Sequence, residues 1–263
     1  MMHDFWFLMG MGTVVAFLLF ALTWLLSLRL NNFSFVDVTW SYALAVMAPL
    51  YAWLGGGFTE RKIIAVTMGV LWSARLGTYL LIRVKGHHPH EDVRYAVLRE
   101  KWKDGLAKNF FFFFQAQALL IVLLAVPLLL ACLNSAPELN LIEMAGAIVW
   151  LIGLSGEALS DAQMKKFKAD PASKGKVCQI GLWRYSRHPN YFFESVVWWG
   201  FWLFACGSPW GWVTVYAPAL ILYFLLRVTG IPLTEECAVK SKGDAYREYQ
   251  RTTSAFVPWP PKS

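Results

Sequence analysis

The chain has 263 residues, of which 57% are hydrophobic, 16% are aromatic and only 16% are charged. Soluble domains carry about 25% charged residues, and disordered chains are rich in charge and poor in aromatic residues, so the composition excludes both classes. The four cysteines are scattered and show no CxxC or CxxH spacing, which excludes a disulfide scaffold and predicts no metal site. Long apolar runs and a mean hydropathy of +0.44 indicate an integral membrane protein.

Seven stretches come close to the roughly 20 apolar residues that a helix needs to cross a bilayer. They are residues 5–28, 38–54, 63–82, 110–133, 141–160, 191–206 and 210–231. The sixth is short and carries a carboxylate, Glu194. The sequence therefore predicts an all-α fold, a polytopic bundle of about seven transmembrane helices forming one integral membrane domain over residues 1–263.

The 24 lysines and arginines are distributed unevenly along this chain. Seven lie between the third and fourth spans, seven between the fifth and sixth, five in the tail, and Arg29 between the first and second; only Arg61 and Lys62 fall on the other side. The positive-inside rule then predicts an outer N-terminus and a cytoplasmic C-terminus, as in a multi-pass protein of a bacterial inner membrane. The net charge of +7 is thus explained by topology and lipid attraction, and we expect the lipid bilayer but neither nucleic acid nor an obligate protein partner.

Several ionisable residues lie within the predicted spans, where they are costly and usually functional. Arg75, Glu157, Glu194 and Arg227 are the clearest examples. A structural ion pair between helices would explain some of them, and a polar cavity within the bundle explains them better. The run of residues 110–114, all phenylalanine, is most simply a lipid-facing patch.

The most polar stretch is Gly181-Leu-Trp-Arg-Tyr-Ser-Arg-His-Pro-Asn-Tyr-Phe-Phe-Glu194, which leads into the sixth span. Pro189 suits the first helical turn, where its missing N–H costs nothing. The helix start would present free N–H groups beside three basic side chains, a setting that favours an anionic ligand; these side chains are Arg184, Arg187 and His188. Asn190 and Glu194 are four residues apart and would share one helix face.

The C-terminal part predicts an amphipathic helix over residues 235–249, interrupted by Gly243. An extended segment follows it, because residues 256–261 contain three prolines that are incompatible with a helix.

These motifs resemble the steroid 5α-reductase C-terminal-like membrane family and, within it, the branch called DUF1295. The stretch from Gly181 to Glu194 carries most of the resemblance, and the end of the chain, residues 249–258, is also similar. The resemblance covers roughly residues 70–263. It implies a reductase-like cofactor-binding part over residues 63–263, preceded by the N-terminal spans of residues 1–62. It implies cytoplasmic loops that close a cavity for NADPH, and hydride transfer to a C=C bond of a steroid-, isoprenoid- or lipid-like substrate.

The resemblance also implies roles for individual residues. Cofactor contacts are expected at Arg75, Asp161, Lys168, Lys176, Arg184, Arg187, His188, Asn190, Tyr191, Glu194, Glu235, Glu236, Tyr246 and Tyr249. Trp72 stands where the steroid reductases have a tyrosine that polarises the substrate, and Asp37 is the candidate for the family's acidic partner; both are the predicted catalytic residues. An indole N–H donates a hydrogen bond but cannot act as an acid.

A second resemblance competes with the first. The Arg-His-Pro-x-Tyr pattern, followed by Glu-Glu and Tyr-x-x-Tyr, is similar to the isoprenylcysteine and phospholipid methyltransferases. In that case S-adenosylmethionine would be the cofactor, in contact with His188 and with Glu235 or Glu236. A non-catalytic lipid-binding membrane protein is the third alternative.

Overall fold

The computed structural model describes residues 2–262, and within that range the chain is helical with no β-strand. Six helical segments are long and apolar enough to cross a membrane: Met2–Leu30, Phe35–Leu54, Thr59–His87, Leu106–Leu133, Leu141–Ala169 and Gly211–Lys242. The predicted sixth span is a helix of 17 residues, Pro189–Ala205, and is short as expected. The all-α multi-pass bundle is therefore confirmed.

The chain divides into two compact units, of which the first contains residues 1–140 and 207–211. Its helices are α1 (Met2–Leu30), α2 (Phe35–Leu54), α3 (Thr59–His87), α4 (Val93–Lys101), α5 (Leu106–Leu124) and α6 (Val126–Leu133). Helix α2 packs against α1, α3, α5 and α6 and is the centre of this unit. The boundary proposed from the sequence at residue 62 falls inside α3.

The predicted fourth span is interrupted near its C-terminal end. Helix α5 ends at Leu124 and α6 begins at Val126, one residue before Pro127. Proline has no N–H to continue the helical hydrogen bonds, and its ring displaces the preceding turn. The span therefore consists of two consecutive helices that are separated by a break.

The phenylalanine run on α5 does not face lipid as a whole, so that expectation was wrong. Phe110 and Phe114 are fully buried, and only Phe112 is largely exposed. The ring of Phe33 stacks on Phe110 with 3.6 Å between centroids. The run therefore packs the loop after α1 against α5 in the core of the first unit.

Arg61 is fully buried at the start of α3. Its guanidinium donates hydrogen bonds to three carbonyl oxygens of the segment after α6: those of Asn134 (2.9 Å), Ala136 (2.8 Å) and Glu138 (2.6 Å). Lys62 likewise donates to the carbonyl of Gly55 (3.0 Å). Arg61 and Lys62, the two cations that the predicted topology leaves on the opposite side from the others, thus donate hydrogen bonds to backbone carbonyls.

The second unit contains residues 141–206 and 212–263. Its helices are α7 (Leu141–Ala169), α8 (Pro189–Ala205), α9 (Tyr216–Tyr223), α10 (Ile231–Lys242) and α11 (Asp244–Thr252), with a π-helical segment Phe224–Val228 between α9 and α10. Gly243, with a φ of 56°, separates α10 from α11, so the predicted glycine break is confirmed. Such a positive φ is easily adopted only by glycine.

Helices α7 and α8 form the most extensive contact of the second unit, and glycines let their backbones approach closely. A Cβ at Gly153 would lie 2.6 Å from the Val197 nitrogen, and one at Gly200 would lie 2.5 Å from the Trp150 nitrogen. Small residues at helix contacts are typical of membrane proteins, where packing replaces the hydrophobic effect as the source of association. This packing positions the start of α8 relative to the end of α7.

Replacement of Arg61 tests the role of its buried guanidinium. We expect Arg61→Gln to destabilise the protein by roughly 2–4 kcal/mol, because buried carbonyls lose charged donors. Arg29→Gln removes an exposed charge and serves as the control, with no measurable loss. Thermal unfolding of both variants in detergent gives the comparison, and equal melting temperatures would contradict the assignment.

Candidate functional site

Asp37, the predicted acidic residue, lies in the first turn of α2 and is engaged by two side chains of α4. Arg94 Nη2 donates to Asp37 Oδ2 at 2.7 Å, and the Tyr95 hydroxyl donates to Asp37 Oδ1 at 2.5 Å. Arg94 also bonds Asp92 (2.9 Å), which in turn pairs with Arg83 (2.5 Å). Both carboxylate oxygens of Asp37 are therefore occupied within the first unit.

The same charged cluster shapes the electrostatics of α4. Burial alone would raise the pKa of Asp92, but the hydrogen bonds and positive charge of Arg94 lower it below its usual value. Burial and the neighbouring Asp37 carboxylate raise the pKa of Tyr95 well above that of a free phenol. Tyr95 is thus a neutral hydrogen-bond donor at physiological pH, and Asp92 is a carboxylate.

Trp72 and Arg75, both predicted site residues, lie in the middle of α3 in the same unit. Trp72 is fully buried and packs edge-on against Trp40 of α2, with 6.2 Å between ring centroids. Arg75 is half-buried. The catalytic roles of Asp37 and Trp72 stay predictions.

In the second unit the loop before α8 is anchored to α7 by two hydrogen bonds. The indole N–H of Trp183 donates to the carbonyl of Ser160 (2.9 Å), and the backbone N–H of Leu182 donates to the Gln163 side chain (2.9 Å). Pro189 is the first residue of α8, as its position in the sequence predicts.

Glu235, from α10, is the centre of a cluster that we call the Glu235 hub, consisting of Glu235, Arg187, His188 and Gln250. Glu235 Oε1 accepts hydrogen bonds from Arg187 Nε (2.6 Å) and lies 3.2 Å from His188 Nε2. Glu235 Oε2 accepts a hydrogen bond from the Gln250 amide at 2.9 Å. His188 is 2% exposed, so this carboxylate is bound mainly by the chain itself.

Arg187 extends the hub to the end of the chain. Its Nη1 donates to the carbonyls of Gln250 (3.0 Å) and Thr253 (2.5 Å), and its backbone N–H donates to the carbonyl of Ser254 (2.8 Å). One arginine therefore ties the start of α8 to α10, to α11 and to the tail.

Two tyrosines of α11 pack beside the hub. The Tyr249 hydroxyl donates to the carbonyl of Trp183 and lies 3.1 Å from that of Ser186. Burial raises the pKa of Tyr249, and burial together with the negative charge of Glu235 raises the pKa of Tyr246 to about 12. Both phenols are neutral, and Tyr249 acts here as a donor that fixes the loop before α8.

The remaining predicted residues of the second unit have different settings. Tyr191 stacks on His188, with 5.4 Å between ring centroids and 4° between their planes. Asn190 and Glu194 are half-buried on α8, and Asp161 is half-buried on α7. Glu236 is exposed and pairs with Lys240 at 2.6 Å, apart from the contacts of Glu235.

Seven cations lie within residues 165–187, from the end of α7 to the loop before α8, and they differ sharply in their partners. In the described structure, Arg187 is the one of these seven that pairs with a carboxylate. The other six form no ion pair within residues 2–262 and are exposed: Lys165, Lys166, Lys168, Lys174, Lys176 and Arg184. The stretch that precedes α8 in the chain therefore carries unneutralised positive charge.

Cys178 lies in the middle of this basic segment and is buried. Burial raises the pKa of its thiol, although the Ile180 backbone N–H and the positive charges of Lys242 and Lys168 act in the opposite direction. The thiol is therefore protonated and unreactive near neutral pH. No group of three or more metal-ligating side chains occurs within residues 2–262.

Sequence reasoning did not find Arg94, Tyr95 or Gln250. Arg94 and Tyr95 are 57 and 58 residues from Asp37, and Gln250 is 15 residues from Glu235. No local spacing rule connects residues so far apart in the sequence, so only the fold reveals these partners.

Glu235 and Glu236 provide a matched pair of substitutions. We expect Glu235→Gln to destabilise the protein by about 3 kcal/mol, because it leaves the largely buried Arg187 charge without its anion. Glu236→Gln removes the same charge one residue away, from an exposed surface pair, and should leave stability unchanged. Thermal unfolding and tryptic cleavage within α11 report the difference, which would be absent if the hub were not structural.

Comparisons with known proteins agree with the resemblance seen in the sequence. The model of the family described as "Protein of unknown function (DUF1295)" matches residues 23–253. The uncharacterized protein C594.04c of Schizosaccharomyces pombe is 28% identical, over 94% of this chain and 78% of that protein. No solved structure matches the chain. Since the family model covers most of its length, the chain belongs to the DUF1295 family.

Proposed function

We propose that the chain is a membrane-embedded, NADPH-dependent reductase that acts on a C=C bond of a hydrophobic substrate. The observation that carries this proposal is the set of six exposed cations before α8 that have no ion-pair partner within residues 2–262. Cations gathered in one segment repel each other, and an anionic ligand relieves that repulsion. NADPH brings three phosphate groups to such a segment, whereas S-adenosylmethionine brings none.

The start of α8 adds a second element to the same anion site. The first N–H groups of a helix have no partner within the helix, and the helix dipole makes this end positive. Helix α8 begins at Pro189, directly after the basic segment. Phosphate binding at such a helix start is a common arrangement in nucleotide-binding proteins, and Lys side chains supply point charges for it.

The Glu235 hub has a positioning role in this proposal. Its members form hydrogen bonds with one another: Arg187 and His188 with one carboxylate oxygen of Glu235, and Gln250 with the other. Such a closed network holds the start of α8 in one geometry relative to α10 and α11. Asn190 and Glu194, one turn apart on α8, then have a fixed orientation and would receive the ribose or nicotinamide end of the cofactor.

The reaction itself needs a hydride and a proton. NADPH supplies the hydride when it is bound. The contribution of this chain is to hold the cofactor, to orient the substrate and to exclude water from both. A hydrophobic substrate would reach the site from the bilayer, because the six candidate membrane spans, with mean hydropathies of 1.2 to 2.7, favour lipid over water.

A second function, S-adenosylmethionine-dependent methyl transfer, is favoured by one observation. His188 and Glu235, the residues that this alternative assigns to the cofactor, lie 3.2 Å apart. Against it, both oxygens of Glu235 are already engaged by side chains of the same unit. A methyltransferase would also leave the six unpaired cations without a ligand.

Cofactor binding to the detergent-purified protein separates the alternatives. We expect NADPH to bind with micromolar affinity and S-adenosylmethionine not to bind, with an NADPH affinity that falls as salt rises because charge-assisted contacts are screened. Calorimetry at low and high salt gives both results. Binding of S-adenosylmethionine alone would replace the proposal with methyl transfer, and binding of neither, in lipid as well as detergent, would favour a non-catalytic protein.

Substitutions then test where the cofactor binds. We expect Lys174→Gln combined with Lys176→Gln to weaken NADPH binding by about tenfold or more, since each charge-assisted phosphate contact contributes on the order of 1.5 kcal/mol. Lys240→Gln is the control, because Lys240 is exposed and pairs with Glu236.

Asn190→Ala and Glu194→Gln should abolish binding without changing membrane insertion. Unchanged NADPH affinity in all of these variants would place the cofactor elsewhere.

A further inference from the structure

The last ten described residues form a segment that the cofactor proposal does not use. We call residues 253–262 the tail strap. Four hydrogen bonds join it to the loop before α8. Thr253 O accepts from Arg187 Nη1 (2.5 Å), Ser254 O accepts from Arg187 N (2.8 Å), Phe256 O accepts from Ser186 Oγ (2.8 Å), and Trp259 N donates to Tyr185 O (2.9 Å). Lys262 N also donates to the carbonyl of Thr252 (2.8 Å). The strap is therefore fixed along its length.

The strap presents apolar side chains on its outward face as well as its inward face. Phe256 points inward and packs edge-on against Phe192 of α8, with 5.6 Å between ring centroids. Val257 and Trp259 are 53% and 68% exposed. In an extended segment alternate residues face opposite sides, so these two share one face. Because hydrogen bonds fix the backbone of the strap, Val257 and Trp259 are held in exposed positions.

Two further apolar residues are exposed on the loop that holds the strap. Ile180 is 43% exposed and Tyr185 is 41% exposed, and Tyr185 bonds the backbone of Trp259. Tyr185 precedes Pro189 by four residues, so it lies within about 14 Å of the first residue of α8. Trp and Tyr are enriched at the two membrane–water interfaces of membrane proteins.

We propose that this outward face, Ile180, Tyr185, Val257 and Trp259, inserts into the headgroup region of the membrane beside the start of α8. Lys262, at the end of the strap, is exposed and forms no ion pair within residues 2–262, whereas Arg251, before the strap, is exposed and pairs with Glu248. The charge of Lys262 complements anionic phospholipid headgroups. The tail strap is thus an interfacial anchor that prefers an anionic membrane.

A soluble protein partner fits the strap less well than the membrane does. A ligand of the Pro-rich type needs its backbone and its proline face free for the partner. Here the backbone of Ser254, Phe256 and Trp259 already bonds the loop before α8. What stays available is a small aromatic and aliphatic face beside the short apolar helix α8, which lipid would cover without displacing any hydrogen bond.

A fluorescent reporter on the strap tests this proposal in the whole protein. Val257→Cys, in a background with Cys206→Ser and Cys237→Ser, is labelled with bimane and reconstituted into nanodiscs. We expect quenching by phosphatidylcholine with a nitroxide near the headgroup, and protection from the neutral aqueous quencher acrylamide. Asp244→Cys, at the exposed start of α11, is the matched control and should show the opposite pattern.

Two comparisons make the result specific to the anchor. Adding Trp259→Ser should raise acrylamide quenching of the reporter at least about twofold, whereas Trp259→Phe should preserve protection, since an aromatic ring still reaches the interface. Protection should be greater in equimolar phosphatidylcholine and phosphatidylglycerol than in phosphatidylcholine alone, and Lys262→Gln should remove that difference.

A reporter as accessible to acrylamide as the Asp244→Cys control, and insensitive to nitroxide lipid, would overturn the proposal and leave the face for a soluble partner. Protection that is equal in both lipid mixtures would overturn the preference for anionic lipid.

Discussion

The carboxylate of Glu235 is the interaction on which the arrangement of the second unit depends. Three helices meet at it: α8 at its start through Arg187 and His188, α10 through Glu235 itself, and α11 through Gln250. Taking charges out of water is costly, and the cost is recovered only when geometry and hydrogen bonding are complete. The hub meets that condition, because both oxygens of Glu235 are bonded and the spare donors of Arg187 reach the carbonyls of Gln250 and Thr253.

The paired charges of the Glu235 hub contrast with the unpaired cations that precede α8 in the chain. Seven cations lie between residues 165 and 187, and the chain neutralises Arg187 while leaving the other six exposed. A cation that serves the fold is buried with its anion, whereas a cation that serves a ligand must stay accessible until the ligand arrives. The contrast within one short segment is therefore the physical basis for the proposed phosphate site, and it explains why one arginine of the Gly181 to Glu194 motif is structural.

Local patterns in the sequence predicted much of this structure, since Pro189 marked the start of α8, Gly243 marked the break before α11, and the apolar runs marked the helices. What they could not predict is which apolar side faces protein. Hydropathy does not distinguish burial in protein from exposure to lipid, because both surroundings are apolar. It could therefore not predict that Phe110 and Phe114 are buried. Charge counting likewise predicts a topology but cannot predict partners. Arg61 is an exception to the charge asymmetry, and its three carbonyl acceptors are known only from the fold. Glu235 and Glu236 are adjacent and identical in type, and only the fold separates the hub carboxylate from the surface one.

The tail strap connects the hub to the proposed membrane contact. Arg187 binds the carbonyls of Thr253 and Ser254 at the start of the strap, and Tyr185, two residues earlier in the chain, binds Trp259 five residues beyond Ser254. The loop before α8 therefore contributes Arg187 to the hub and Tyr185 to the outward face of the strap. Hydrogen bonds thus link Trp259 to the loop that sets the position of the α8 N-terminus. If the strap contacts the membrane as proposed, the geometry of the proposed anion site at that terminus would depend on contact with lipid.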